Sequence, residues 1–136
     1  MYKTDLEQLL RDGNIIRIKP RGYSMYPLFI PGRDEALIQQ VPVSSLRRND
    51  VILYRRVLHR IAKITPEGFF LVGDNQSELE GPLREDQIRG KLVAFVRKGK
   101  ETSVTNPFYR LLSSFWLRML PLRPLCFRFT AFLRKL

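Results

Sequence analysis

Three short stretches of this chain contain, between them, the residue types that serine acyl transfer requires. Ser24 lies in Gly-Tyr-Ser-Met-Tyr-Pro, a loop bounded by glycine and proline. His59, the only histidine, lies in Val-Leu-His-Arg-Ile, and Asp74 lies in Val-Gly-Asp-Asn. A serine hydroxyl is barely ionised at neutral pH and needs a neighbouring base, for which histidine is suited. Because a carboxylate can fix the imidazole tautomer, the set predicts a nucleophile, a base and an acid.

The surroundings expected for His59 support this combination, although each stretch alone has an ordinary explanation. A serine between glycine and proline is usually a turn residue, and Gly-Asp-Asn after a strand is common turn chemistry. His59 alternates with Val57 and Ile61 on one face of a predicted strand, so its side chain should point into apolar surroundings. A buried neutral imidazole needs a polar partner, and Ser24 and Asp74 are the candidates.

The elements that must position these residues are mostly strands. A capping box of Thr4 and Glu7 predicts a short N-terminal helix that ends at Gly13. Residues 65–68 have the chemistry of a hairpin turn, and residues 73–85 are predicted to form a polar loop. Because helices do not alternate with the strands, we expect a mainly β fold, a curled antiparallel sheet or partly open barrel. The predicted strands cover residues 14–19, 35–40, 50–54, 57–64, 69–72 and 88–97.

The chain changes character near Thr105, and we expect a peptidase-like domain of residues 1–104 followed by a tail of residues 105–136. Asn106 can cap a helix that has Pro107 in its first turn. Large apolar residues then recur at helical spacing, two prolines interrupt the pattern, and it resumes up to the C-terminus. All three catalytic candidates precede the tail, so we expect the chemistry to be independent of it.

The basic charge of the chain is concentrated in the tail. The formal net charge of the whole chain is +11, and residues 107–136 supply six basic residues and no acidic one. Basic residues interleaved with large apolar ones are typical of helices that lie on a membrane surface, and they also suit docking or single-stranded nucleic acid. We expect a polypeptide substrate and peripheral contact with an anionic membrane through residues 107–136, and we do not expect a nucleic-acid partner.

Composition excludes several other classes of protein. One cysteine, Cys126, excludes an internal disulfide, and one histidine excludes a histidine-based zinc site, so we expect neither metal nor cofactor. No secretory signal is visible at the start of the chain. The longest uncharged apolar stretch of the tail, residues 111–117, is far shorter than a bilayer span. The expected location is cytoplasmic or peripheral to a membrane.

The Ser-Met-x-Pro loop is followed by the strand with the base and then by the Gly-Asp-Asn turn. These three features, in this order, resemble the signal peptidase I superfamily of serine peptidases, which includes the LexA-type self-cleaving repressors. The likeness covers residues 15–96, most of the chain. The Val-x-His-Arg sequence that ends at Arg60 is similar to the subfamily with a histidine base, as in the endoplasmic reticulum. The resemblance implies the sheet of that superfamily, with Ser24 as nucleophile, its N–H in the oxyanion hole, and His59 as base.

The resemblance leaves the third catalytic member open. Asp74 matches the first acid of the Gly-Asp-Asn motif, but the histidine type has a second Asp about six residues further on, where this chain has Glu80. Either Asp74 bonds His59 directly, or it shapes the loop while Glu80 or Glu78 does so. Asp34 lies near a Gly-Asp that follows the serine motif in the family, and we expect it to be structural.

Two departures from the superfamily shape the expected function. Signal peptidases have a membrane-spanning anchor, and we expect none here. LexA-type repressors have a DNA-binding domain and a self-cleavage site, and we expect neither of these. We therefore expect a stand-alone serine endopeptidase with an added tail, which cleaves a leader- or signal-peptide-like substrate. The alternative is a non-catalytic, peptidase-like module that binds or regulates at a membrane surface or on nucleic acid. A third hypothesis is a regulator that acts only with a protein partner.

Overall fold

Eight antiparallel strands form one open sheet in the computed structural model, which describes residues 8–20, 22, 24–26 and 28–136. The strands are β1 (Ile16–Ile18), β2 (Asp34–Gln39), β3 (Val51–Tyr54), β4 (Val57–Thr65), β5 (Gly68–Val72), β6 (Glu80–Leu83), β7 (Ile88–Arg97) and β8 (Lys100–Ser103). Their order across the sheet is β1-β2-β7-β3-β4-β5-β6, and β8 also pairs with β7. The prediction of a mainly β, antiparallel fold is confirmed and the sheet is not closed, while the peptidase type of this fold stays a prediction.

Two strands lie where the sequence predicted none. β6 lies within residues 73–85, predicted as a loop, and β8 follows the strand that was predicted to be the last. Both have four residues with mostly exposed side chains, so neither has the apolar alternation that identifies a strand. They form against the free backbone groups of β5 and β7. The predicted capping box of Thr4 and Glu7 lies outside the described residues, whereas residues 8–11 are helical.

The sheet separates two buried apolar clusters, and successive residues of β4 alternate between them. Leu58 belongs to the first cluster, which also contains Met25 from the serine loop. Ile61 belongs to the second cluster. Because side chains alternate along a strand, His59 lies on the side of the second cluster and Arg60 on the side of the first.

A buried carboxylate closes the loop that follows Ser24. Asp34 accepts a hydrogen bond from Ile30 N–H at 2.8 Å and pairs with the Arg33 guanidinium at 2.7 Å. Burial alone would raise the pKa of Asp34, but the hydrogen bonds from Arg33 and Ile30 and the charge of Arg97 together lower it. Asp34 therefore stays charged at neutral pH and has the structural environment that its position suggested.

Two helices follow the sheet and pack against it. The predicted cap of the first is present, since Asn106 Oδ1 accepts a hydrogen bond from Tyr109 N–H at 3.1 Å. Leu117 packs with Ala62 of β4 and Val72 of β5 in a small third cluster. No helix within the described ranges is both long enough and apolar enough to cross a membrane. The helices are α1 (Pro107–Arg118) and α2 (Arg123–Lys135), joined by the short 3-10 helix Leu120–Leu122.

The two sides of α1 should differ sharply in their contribution to stability. Leu117 is 2% exposed and Leu111 is 69% exposed. We expect Leu117→Ala to lower the free energy of unfolding by about 3 kcal/mol, because it leaves a cavity in packed surroundings. Leu111→Ala, the matched control on the same helix, should change it by less than about 0.5 kcal/mol. Urea denaturation measures both, and equal losses would contradict the packing described for α1.

Candidate active site

The Gly-Asp-Asn turn holds the serine loop by its main chain. Asn75 N–H donates a hydrogen bond to the Ser24 carbonyl oxygen at 2.8 Å. Asp74 N–H donates to Met25 Sδ at 3.4 Å. Gly73 lies so close to the Ser24 carbonyl that an added Cβ would overlap it, which explains a glycine at this position. Two of the three predicted stretches are therefore in direct contact.

The Asp74 carboxylate binds Arg60, and it makes no hydrogen bond to His59. Arg60 Nε and Nη2 each donate to one Asp74 oxygen at 2.8 Å, and both side chains are buried. The remaining terminal nitrogen of Arg60 donates to the Asn49 carbonyl at 2.9 Å and to Tyr109 Oη at 3.2 Å. Burial alone would lower the pKa of Arg60, but Asp74 raises it above its ordinary value, so the guanidinium stays charged.

His59 is buried on the other side of β4, and its polar contact is Tyr54. The distance between Tyr54 Oη and His59 Nδ1 is 3.4 Å, and the two rings meet edge to face. Burial lowers the pKa of His59 below its ordinary value, and the negative charge of Asp74 opposes this shift. His59 is therefore a neutral imidazole at neutral pH, the form that can accept a proton.

Ser24 is half-buried, and its hydroxyl is not bonded to the predicted base. Among the described residues, no hydrogen bond joins Ser24 Oγ to His59, and none joins His59 to Glu78 or Glu80. Glu80 is exposed at the start of β6, where it pairs with Leu71 of β5. The structure thus joins the Ser24 main chain to Asn75 of the Gly-Asp-Asn turn, and Asp74 of the same turn to the neighbour of His59, without a direct triad.

Two residues of the tail also bind the Gly-Asp-Asn turn, and we call them the tail clamp. Trp116 Nε1–H donates to the Asp74 carbonyl oxygen at 2.6 Å. Arg123 is fully buried and donates to the Gly73 carbonyl at 3.1 Å and the Gln76 carbonyl at 2.8 Å. The expectation that the chemistry is independent of residues 105–136 did not foresee these contacts, which make the tail a support of the site.

The residues that sequence reasoning missed differ in how visible they were. Arg60 follows the predicted base in an apolar strand, and a cation there needs a buried anion, so the sequence contained a signal for an ion pair. Tyr54 lies on β3, which pairs with β4, and it is two residues from the position opposite His59. A correct prediction of this pairing would have placed the two side chains close together. The tail clamp had no signal, because its contacts join positions more than 40 residues apart.

No metal centre is present in the described ranges, which contain no group of three or more potential ligands among His, Cys, Asp and Glu.

The comparison with known proteins gave no family: no protein-family model, curated protein or solved structure matches this chain. The likeness to signal peptidases therefore stays a prediction that depends on the sequence motifs.

The buried ion pair generates a prediction about stability. Asp74→Asn removes the carboxylate and leaves the charge of Arg60 buried without a counter-ion, so we expect a loss of about 3 kcal/mol in the free energy of unfolding. Glu80→Gln is the matched control, because the side chain is exposed, and it should change stability by less than about 0.5 kcal/mol. Urea denaturation at neutral pH distinguishes the two. A small effect of Asp74→Asn would show that Arg60 is satisfied without Asp74.

Proposed function

We propose that this protein is a serine endopeptidase in which Ser24 is the nucleophile and His59 is the general base. The observation that carries the proposal is the convergence of the three stretches at the Gly-Asp-Asn turn. Its Asn75 N–H binds the Ser24 carbonyl, and its Asp74 carboxylate binds the arginine that follows His59. A glycine, an ion pair and two main-chain contacts fix the relative positions of these stretches, as a catalytic serine loop requires.

The proposed reaction proceeds through an acyl-enzyme. Ser24 Oγ attacks the carbonyl carbon of the scissile bond while His59 takes the hydroxyl proton. The Ser24 backbone N–H stabilises the developing oxyanion. The carbon–nitrogen bond then breaks, His59 gives its proton to the leaving amine, and water attacks the ester with His59 again as base. In this scheme Ser24 Oγ and His59, which lie towards opposite sides of β4 in the free protein, come within hydrogen-bond distance only when substrate binding moves the serine loop.

Tyr54 takes the position next to His59 that a carboxylate occupies in the common triad. If His59 Nδ1–H donates to Tyr54 Oη, the proton is fixed on Nδ1 and Nε2 is free to act as base. Asp74 acts differently in this proposal: it positions the serine loop through Arg60, and its charge favours the imidazolium at a distance. Glu80 has no catalytic part.

A groove beside the site suits an extended apolar peptide. It lies between α1 and the sheet, with Arg60 and Asp74 among its lining residues. The resemblance to signal peptidases implies a leader-like substrate with a small residue before the cut, and the groove would take the apolar stretch of such a peptide. The apolar lining comes from Leu28, Phe95, Phe108, Leu112 and Trp116.

A non-catalytic module is the second candidate, and two observations favour it. Asp74 is committed to Arg60, and in the described residues Ser24 Oγ makes no hydrogen bond to His59. On this hypothesis the groove binds a peptide without cleaving it, and His59 is a buried structural residue with Tyr54 as its partner.

Covalent labelling distinguishes the two candidates. A fluorophosphonate probe, which reacts with activated serines, should label the wild-type protein at Ser24, as located by mass spectrometry of the modified peptide. Ser24→Ala should abolish labelling, and His59→Ala should slow it at least about a hundredfold, because the base is lost. Ser77→Ala, on the neighbouring loop, is the control and should label normally. Absence of labelling in the wild type at every pH up to about 9 would favour the non-catalytic module.

The pH dependence of labelling tests the roles of His59 and Tyr54. The rate should rise with pH through an apparent pKa below the ordinary 6.5 of histidine, since burial disfavours the charged imidazole. Tyr54→Phe should lower the rate about tenfold and shift this acidic limb to lower pH, because the acceptor for Nδ1–H is lost. Tyr109→Phe removes a hydroxyl that bonds Arg60, and the limb should then stay in place. An unshifted limb in Tyr54→Phe would exclude Tyr54 as the orienting group.

A further inference from the structure

The side of α1 opposite to its buried residues is apolar. Its exposed large side chains follow the spacing i, i+3, i+4 and i+7, so they form one stripe along the helix. The opposite side is used for packing, since Ser113 and Leu117 are buried against the sheet. α1 is therefore apolar on two sides, of which only one is covered. The exposed stripe consists of Phe108, Leu111, Leu112 and Phe115.

α2 has a second exposed stripe of the same kind. Its members follow the spacing i, i+4, i+7, i+8 and i+11, which again places them on one side of a helix. Of the fifteen large hydrophobic residues that are exposed in the described chain, ten lie within residues 108–136. Such a concentration of exposed apolar side chains marks a contact surface. The stripe consists of Leu125, Phe129, Phe132, Leu133 and Leu136.

The charge around the two stripes has one sign. Residues 107–136 contain no acidic residue, and five of their six basic side chains are exposed. The sixth, Arg123, is buried against carbonyl oxygens and cannot serve an external partner. The five exposed cations are Arg110, Arg118, Arg128, Arg134 and Lys135.

We propose that the exposed stripes of α1 and α2 form a membrane-contact surface for a bilayer that contains anionic lipid. Large apolar side chains enter the acyl boundary while the flanking cations bind anionic headgroups, and both helices lie in the plane of the interface. Neither helix could span the bilayer.

The other occupants fit this surface less well. A second copy of the chain would bring five exposed cations against five more with no acidic residue of the tail to pair with them, which repels. Single-stranded nucleic acid is bound by aromatic rings on which bases stack, but five of the nine exposed stripe residues are leucines. Leucine side chains dissolve in lipid and offer a base no stacking face.

The surface is joined to the candidate site through the same helices. Phe108 and Leu112 belong both to the α1 stripe and to the lining of the groove, so the groove opens beside the proposed membrane surface. The tail clamp fixes α1 and the start of α2 to the Gly-Asp-Asn turn. Lipid binding itself does not depend on the proposed catalysis, so it can be tested without a substrate.

Vesicle co-sedimentation of the full chain tests the proposal. The protein should pellet with phosphatidylcholine vesicles that contain phosphatidylglycerol, and pellet much less with phosphatidylcholine alone. Phe129→Ser with Phe132→Ser should weaken binding at least about tenfold, since two aromatic rings that would enter the lipid are lost. Ile64→Ser is the control, because Ile64 is an exposed apolar residue of the sheet, and it should bind as the wild type does. All these positions are exposed, so the variants should fold, which near-UV circular dichroism checks.

Charge reversal tests the electrostatic part. Arg128→Glu with Lys135→Glu, at the two positions of α2 that adjoin the stripe, should weaken binding to the anionic vesicles at least about twentyfold. Arg11→Glu with Arg84→Glu makes the same change of net charge outside α1 and α2 and should have less than about a fifth of that effect. Equal effects of the two pairs, or no binding of the wild type, would overturn the proposal. So would tight binding of a single-stranded oligonucleotide that the Phe129 and Phe132 variant loses, or a stable dimer that the same variant loses.

Discussion

The buried ion pair between Arg60 and Asp74 is the interaction on which the arrangement of the candidate site depends. A charge that is removed from water needs an opposite charge and hydrogen bonds in place of its hydration. Asp74 supplies both to Arg60 through two parallel hydrogen bonds of 2.8 Å. Because Arg60 projects from the middle of β4, the Gly-Asp-Asn turn can occupy only one position over that strand. The Ser24 main chain, bound to Asn75, is placed by the same constraint.

The ion pair also gives the two sides of β4 different electrostatic surroundings. Arg60 takes the acidic partner on one side, and His59 is left on the other with Tyr54 and apolar neighbours. Burial without a direct carboxylate keeps the imidazole neutral, whereas a bonded carboxylate would raise its pKa. A base of this kind is ready to accept a proton, and it gains less from charge stabilisation once it has done so. The proposed peptidase would therefore depend strongly on positioning the serine and the substrate.

Apolar alternation and turn chemistry predicted most of the sheet, because those strands bury one or both faces. β7 was predicted with its observed bounds, whereas β6 and β8 were missed because their pairing depends on a neighbour and not on their own side chains. At the site, residue types suggested Ser24, His59 and Asp74, but which partner Asp74 binds depends on the strand face. Alternation along β4 contained that information, since residues 59 and 60 must face opposite ways. The tail clamp could not be predicted, because periodicity describes a helix and not the surface against which it docks.

The tail shows why periodicity alone is ambiguous. A stripe at helical spacing identifies an apolar side of a helix, and in most domains that side faces the core. In α1 the side that packs contains Tyr109, Ser113, Trp116 and Leu117, which are held partly by hydrogen bonds to Arg60 and Asp74. Because hydrogen bonds hold this side in place, it packs against the sheet although it is not the most apolar side of the helix. The most apolar stripe therefore stays exposed. A helix anchored to a site by one side and apolar on the other can bind a second surface without giving up the first. In this chain, the exposed cations Arg118, Arg128 and Lys135 beside the stripes favour an anionic lipid surface as that second partner.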